Sequence, residues 1–352
     1  MKRMLLILLA LGLIGAGAVQ WLLAVWNAPG PAAAEKVVLI EPHTGLHAVA
    51  NRLAGAGAIN FPLAFELELR GRGLAAQVKA GEYAIPAHTS MAGLAAILVA
   101  GKSIQHKLTI PEGLTSDMIL KLVAGDPDLS GEAGPAPEEG TLLPETYVFS
   151  HGMTRGRLLA EMAAAQAKFL EEHWPARDPS VPLDNPRQAV ILASIVEKEV
   201  ALADERRHVA QVFVNRLKRG MPLQSDPTII YGLTRGAPLG HGIRQSELAS
   251  DTPYNTYRIP ALPPGPIANP GKDSLAAVLN PQPGDDLYFV ADGKGKSLFA
   301  ASIAQHARNV MAFRAQERLN AMPKLEPQMP PLPAVTGRRS RAPAVAGAGA
   351  PR

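Results

Sequence analysis

The residues best placed to do chemistry in this chain are Glu197 and Glu199, in the stretch Ala193-Ser194-Ile195-Val196-Glu197-Lys198-Glu199. An apolar run ends there in two carboxylates. A carboxylate beside apolar walls is costly unless it is paired or put to use. The same walls raise its pKa, which suits a general acid working near neutral pH. Two positions along a helix are about 200° apart, so the pair cannot face one cleft. One is expected to be catalytic or buried, and the other solvated or paired with Lys198 or Arg206. Glu199 follows Ile195 and Val196 by one turn, whereas Glu197 follows Ala193 and Ser194. The more apolar turn favours Glu199 for the raised pKa. An ordinary charged helix end is the competing reading.

The elements that must position these carboxylates can be read outward from them. Asp184 or Asn185 can cap a helix with Pro186 at its first position. Ala189, Val190, Ile191, Leu192, Ala193, Ile195 and Val196 surround nearly its whole circumference, so burial is predicted. Ala203-Asp204-Glu205 opens another helix, with Val209, Val212, Phe213 and Leu217 on one face and Gly220 closing it. Two polar clusters follow. Leu223-Gln224-Ser225-Asp226-Pro227-Thr228, with Tyr231 beyond, reads as an extended loop stiffened by proline. Thr252-Pro253-Tyr254-Asn255-Thr256-Tyr257 precedes Leu262-Pro263-Pro264-Gly265-Pro266-Ile267. Aromatic and amide groups suit sugar faces and N-acetyl groups, and the prolines suit a groove wall. Taken singly, each of these residues reads as turn chemistry. Gly293-Lys294-Gly295-Lys296, after Tyr288-Phe289-Val290, reads as a hairpin turn.

The first half repeats one pattern: strand, proline turn, capped helix, glycine stop. Val37–Ile40 leads to Leu46–Leu53 and Gly55. Tyr83–Ile85 leads to Met91–Ala100 and Gly101. Lys107–Ile110 leads to Met118–Ala124 and Gly125, and a further helix is expected at Pro62–Leu69. Together these predict one small α+β module, or two side by side. Residues 126–140 read as a loop, Leu142–Phe149 as a turn entering an extended piece, and Arg155–His173 as a helix. Pro, Ala, Gly and Arg dominate from Met322 on, and disorder is expected over 321–352.

Lys2 and Arg3 precede a segment without charge from Met4 to Ala34. A helix over 4–26 would be about 34 Å long, enough for a hydrocarbon core of ~30 Å. Trp21 and Trp26 would lie at its far interface. A cleaved signal peptide, with Ala16-Gly17-Ala18 as its site, competes with this reading. The apolar run continues to Trp26, past a usual signal core of roughly 7–15 residues, which favours a retained single-pass anchor with a cytoplasmic N-terminus.

Composition narrows the chemistry. Hydrophobic residues make up 47% of the 352 positions, enough for more than one core. The chain has no Cys, which excludes disulfides and thiolate catalysis. The pI of 9.3 partly reflects Arg338, Arg339, Arg341 and Arg352, and no basic face interleaved with aromatics points to nucleic acid. The nine His show no HExxH or similar ligand spacing, so no metal is expected. GxSxG and Walker A patterns are missing, and no cofactor-binding pattern is present.

Several ordered segments resemble one family. Ala193–Glu199, Val214-Asn215-Arg216-Leu217, Leu223–Thr228, Tyr254-Asn255-Thr256-Tyr257, Leu262–Ile267 and Leu287-Tyr288-Phe289-Val290-Ala291 are similar to segments of the YceG-like endolytic murein transglycosylases. Gly140–Tyr147 and Ala80–Tyr83 also match. The resemblance implies an α+β protein of the bacterial inner membrane. It divides into a cytoplasmic end (1–3), a transmembrane helix (4–26), a linker (27–36), a LysM-like module (37–125), a loop (126–140), a mostly helical periplasmic catalytic domain (141–320) and the tail. The family's catalytic glutamate falls on Glu199. The implied reaction cleaves the bond between MurNAc and GlcNAc within nascent peptidoglycan strands and leaves 1,6-anhydro ends. Gln224, Asp226, Tyr254, Asn255 and Tyr257 are candidates for positioning sugars, and peptidoglycan synthases are candidate partners. Ser225, where the family frequently has Thr, is a departure. A hydrolase of the same bond with Asp226 placing water, and a membrane-anchored glycan-binding scaffold, are the alternatives. An older label of the family, aminodeoxychorismate lyase, finds no support in the chain.

Overall fold

A computed structural model describes residues 2–200 and 202–321. The tail expected to be disordered lies outside the described residues, apart from Ala321, which ends the last helix. The fold is mixed α and β. Three separate antiparallel strand pairs are dispersed among helices, and three hydrophobic cores lie along the chain.

Helix α1 (Lys2–Asn27) is long and apolar enough to cross a membrane. Its first twenty residues are exposed, as a membrane-spanning surface would be outside lipid. Its end differs from the expected interfacial anchor. Trp26 is only 4% exposed, stacks on Phe65 at 5.9 Å and lies under the Arg72 guanidinium at 4.9 Å. Trp26 is thus a core residue of the first unit. Part of the segment read as a linker (27–36) also packs there. Ala32 is buried, its carbonyl accepts from His88 N, and Gly30 N donates to His88 O.

That first unit runs β1 (Lys36–Ile40), α2 (Leu46–Gly55), α3 (Pro62–Gly71), β2 (Gly81–Ile85) and α4 (Met91–Ala100). β1 pairs with β2, and Val38, Leu53, Phe65, Tyr83, Ile85, Leu94 and Leu98 fill its core. Ser90 caps α4 by accepting from Gly93 N, and Gly101 at φ 70° closes it, as the sequence pattern predicts.

The third repeat does not join this unit. β3 (Gln105–Thr109) pairs with β4 (Thr146–Ser150), forty-odd residues on. Helices α5 (Ser116–Gly125) and α6 (Arg155–His173) complete a second core of Ile110, Ile119, Val123, Leu142, Phe149, Leu158 and Met162. Residues 105–125, expected with the first module, therefore share a core with residues on the far side of the 126–140 loop.

The largest core belongs to α7 (Pro186–Glu199), α8 (Arg206–Lys218), α9 (Asp226–Thr234) and α11 (Lys272–Leu279). Asn185 caps α7 by accepting from Gln188 N, with Pro186 next. Every residue from Ala189 to Val196 is buried, and each large aliphatic side chain contributes about 1.5–3 kcal/mol on burial. This buried rod sets where Glu197 and Glu199 emerge. The short α10 (Gln245–Leu248) precedes the second polar cluster. A hairpin of β5 (Tyr288–Ala291) and β6 (Ser297–Ala300), with Gly293 and Gly295 in its turn, is covered by α12 (Ile303–Ala321).

Candidate active site

Glu199 is the last helical residue of α7; the next residue's N–H bonds back to Val196 O. Its carboxyl therefore meets the negative end of a helix dipole, which opposes ionisation. Burial opposes it more strongly, and the nearby Asp226 charge adds to the effect. A hydrogen bond from Ser225 and the Arg216 charge act the other way. Burial wins, and the carboxyl is pushed up to about 7. A group titrating there is available both as acid and as base near neutral pH.

Ser225 stands at the N-cap of α9, yet its hydroxyl does not cap that helix. It donates to Glu199 Oε1 at 2.6 Å instead. Two features force this aim. Gln224, just before it, has φ 53°, a left-handed conformation rare outside glycine. The backbone on either side is pinned to the second polar cluster: Gln224 N donates to Thr256 O at 3.0 Å and Ser225 N to Thr256 Oγ1 at 3.0 Å. Thr228 and Thr256, both buried, join hydroxyls at 2.9 Å. Observed strain of this kind, held by surrounding bonds, is a mark of functional sites.

Arg216, on α8, supports the floor of the site. It is 7% exposed. Nη1 donates to Leu223 O at 2.7 Å and Gln224 Oε1 at 3.3 Å, and Nε to Leu287 O at 2.7 Å. Its fork thus ties the Leu223–Ser225 turn to the segment entering β5. Burial pulls its pKa down while Tyr288, Tyr257 and Glu199 pull it up.

The expected sugar-positioning residues divide. Gln224 and Asp226 are exposed beside Ser225, and Tyr257 donates to Asp226 Oδ1 at 2.6 Å. Burial and that acceptor hold the Tyr257 hydroxyl above its usual pKa. These three join Glu199 and Ser225 in one cluster. Asn255 is fully buried. Its amide donates to Leu248 O and Ser250 O, and its oxygen accepts from Tyr257 N. All its capacity is spent inside its own loop. Tyr254 has other neighbours. It packs on Tyr231 at 4.9 Å, with the Arg235 guanidinium 5.6 Å from each ring. Asp226-Pro227-Thr228, read as an extended loop, is the first turn of α9. Pro227 fits there because no N–H is needed, and Asp226 suits the positive helix end.

Glu197 points elsewhere. Oε2 accepts from Gly271 N at 3.0 Å and Oε1 lies 3.7 Å from Arg206 Nη2. Gly271 is the N-cap of α11, so Glu197 locks α7 to α11 and α8. Lys198 Nζ donates to Gly113 O at 3.2 Å.

Sequence reasoning missed Arg216, and two residues that join the second core to the third. Glu139, its pKa raised by burial, accepts from Ser116 N at 2.8 Å and Tyr231 OH at 3.2 Å. Asn269, fully buried, donates to Leu114 O, Ser116 Oγ and Glu139 Oε1, and accepts from Leu142 N. Gly140, at φ 78°, lets this loop close: a Cβ there would come within 2.9 Å of Val190 Cγ1 and 2.5 Å of Pro266 Cγ. The signal available was the Gly140–Tyr147 segment, whose fit to the family carried no role for Glu139.

Comparison with known proteins gives the family. A family model described as the YceG-like family matches residues 38–312. An endolytic murein transglycosylase of Bacillus subtilis is 32% identical over 57% of this chain and 52% of its own length. One of Streptococcus pneumoniae is 37% identical over 52% of this chain and 33% of its own. The match thus spans between a third and about half of these relatives. A solved structure of a yceG-like protein from Listeria monocytogenes aligns at 26% identity with TM-score 0.47, covering 78% of this chain and 98% of that one.

Proposed function

The chain belongs to the YceG-like family, and we propose that it is an endolytic lytic transglycosylase with Glu199 as its acid and base. The observation that carries this reading is the Glu199 carboxyl at the end of α7, held near a pKa of 7 with one oxygen engaged by Ser225. Ser225 occupies Oε1 as a donor, so Oε2 is left to carry the transferable proton. The relatives are endolytic murein transglycosylases, and that activity points to the bond to be cut.

Protonated Glu199 donates from Oε2 to the glycosidic oxygen between MurNAc and GlcNAc. The C1–O bond breaks, and the GlcNAc side leaves as an alcohol. The Glu199 carboxylate then accepts the proton of the MurNAc C6 hydroxyl as its oxygen bonds to C1. A 1,6-anhydro end results, and Glu199 is again protonated. Water takes no part, so the second carboxylate of a typical glycosidase is not required. Asp226 fits a lesser role. Its charge raises the Glu199 pKa, and its Oδ1 is held by Tyr257. Gln224, Asp226 and Tyr257 lie on the solvent side of the cluster, where the reading places the polymer. Asn255 acts by holding the loop that presents Tyr257, and Tyr254 packs on Tyr231 instead.

In this reading α1 anchors the chain in the bacterial inner membrane, with Lys2 and Arg3 cytoplasmic and the body periplasmic. The unit built on β1–β2 is the LysM-like module. Synthases of the same strands are its candidate partners.

The test is digestion of purified glycan strands by wild type and Glu199→Gln, with mass analysis of the ends. Anhydro ends from wild type alone are expected. Ends carrying one added water would make the enzyme a hydrolase. Cleavage unchanged in Glu199→Gln would move the acid elsewhere.

A further inference from the structure

Two histidines and two carboxylates meet where the first unit joins the second. Glu82 comes from β2, His106 from β3, His151 from the turn just after β4, and Asp128 from the segment after α5. Glu82 Oε2 lies 2.7 Å from His106 Nε2. Asp128 uses both oxygens: Oδ2 is 2.8 Å from His106 Nδ1, and Oδ1 is 3.1 Å from His151 Nδ1. One ligand atom from each of Glu82, His106 and His151 falls within 4.8 Å of the others. The mechanism above uses none of these four.

We propose that Glu82, His106 and His151 bind a divalent transition-metal ion, zinc being the best match, with Asp128 orienting the two imidazoles. The donor chemistry supports this. Imidazole nitrogen with carboxylate oxygen is a zinc-type set. Asp128 accepts from His151 Nδ1 and lies 2.8 Å from His106 Nδ1, so in the metal-bound form it would hold a proton on each Nδ1 and leave each Nε2 to the ion, His106 Nε2 giving up its hydrogen bond to Glu82. A carboxylate behind a ligating histidine is the usual outer support of such sites. With both imidazoles as the uncharged ligands that zinc binding requires, the two carboxylates give the cluster a formal charge of −2 in a partly buried setting, which a divalent cation neutralises. Ligands about 2.1 Å from a tetrahedral ion lie about 3.4 Å apart. Glu82 and His106 would therefore part by somewhat less than an ångström, which a side-chain rotation provides. The side chains are 21% to 33% exposed, so an ion can enter and a water can complete the shell.

The consequence is mechanical. Outside this cluster, the hydrogen bonds across the junction among the described residues sit on the connecting chain itself: Ile104 N to Glu82 O at 2.7 Å and Ser103 Oγ to Ser150 Oγ at 3.3 Å. An ion held by β2, β3 and the end of β4 staples the unit carrying α1 to the unit that contacts the active-site core. It would fix the reach from membrane to Glu199. The four residues are spread over two strands, a turn and a loop, so no linear spacing betrays them.

The experiment uses the full chain in detergent, without a histidine tag, stripped with EDTA and titrated with zinc chloride by calorimetry, alongside metal analysis. One zinc per chain is expected, with Kd below about 1 µM, and saturation should raise the melting temperature. His106→Ala and His151→Ala should each weaken binding at least 100-fold, and Asp128→Asn about 10- to 100-fold. Wild type binding zinc no better than the His106→Ala/His151→Ala double variant overturns the proposal. Circular dichroism checks the fold of each variant. If the alanine variants do not fold, the near-isosteric Glu82→Gln and Asp128→Asn decide: unchanged zinc affinity in both overturns it, and weakened affinity in both supports it.

Discussion

Ser225 gives its hydroxyl to Glu199, 2.6 Å away on another helix, and not to the helix it begins. This contact engages Oε1 of Glu199, and it tempers a pKa that burial alone would drive higher. It also links the two polar segments of the chain, because the Ser225 backbone is held by Thr256.

The first expectation concerns pH. Glu199 must start protonated, so kcat/KM should be level below about 7 and fall above it. Ser225→Ala removes a donor to the carboxylate, which destabilises the anion. The falling limb should move to higher pH by about one unit, while Ser225→Thr should keep it in place. A limb that stays put or moves to lower pH in Ser225→Ala would show that this contact does not set the titration.

Glu199→Gln should lower kcat/KM by about 10³-fold or more. It should also stabilise the protein in base. The folded pKa lies above the ordinary value, 4.5 rising to about 7. The folded state then holds the proton more tightly. The stability this confers is fully present below about 4.5 and lost as pH rises through about 7. At pH 8 the Gln variant should be more stable than wild type by up to about 3 kcal/mol. Urea unfolding at pH 5 and pH 8 tests this, since a gap that does not widen with pH contradicts a raised Glu199.

Glu197→Ala should act on stability rather than chemistry. It leaves Gly271 N–H without its acceptor and removes a partner of Arg206. A loss of about 1–3 kcal/mol is expected, with the alkaline limb still near its wild-type position. Were the limb to vanish in Glu197→Ala and persist in Glu199→Gln, the roles of the two would be exchanged.

Arg216→Met should cost about 2–4 kcal/mol, because the Leu223 and Leu287 carbonyls lose their donor in a buried site. Arg216→Lys should recover only part of this, since one ammonium cannot reproduce the fork. Both variants should lower kcat more than they raise KM, through the misplaced Ser225. Thermal melting with steady-state kinetics on glycan strands separates the two effects; full activity in Arg216→Met would remove Arg216 from the positioning role.

Much of this was legible in the linear chain because it rests on local rules. Asn185 and Pro186 announce the start of α7, the apolar circumference of Ala189–Val196 announces its burial, and helical rotation separates Glu197 from Glu199. The spanning length of α1, the capped helix α4 and the β5–β6 hairpin follow from length, caps and glycines in the same way.

What depends on packing was not legible there. Periodicity names the face of a helix that is buried but not the residue it meets. Only the packed structure decided that β3 pairs with β4 across a loop, that Trp26 belongs to a core, and that Asn255 spends its amide on its own loop. The same holds for Glu199. Its place at the end of a buried helix was written in the sequence. Its partners Ser225, Asp226 and Arg216 come from two other helices, whose register against α7 is set by the shape of the shared core, a collective property that no local run of residues encodes.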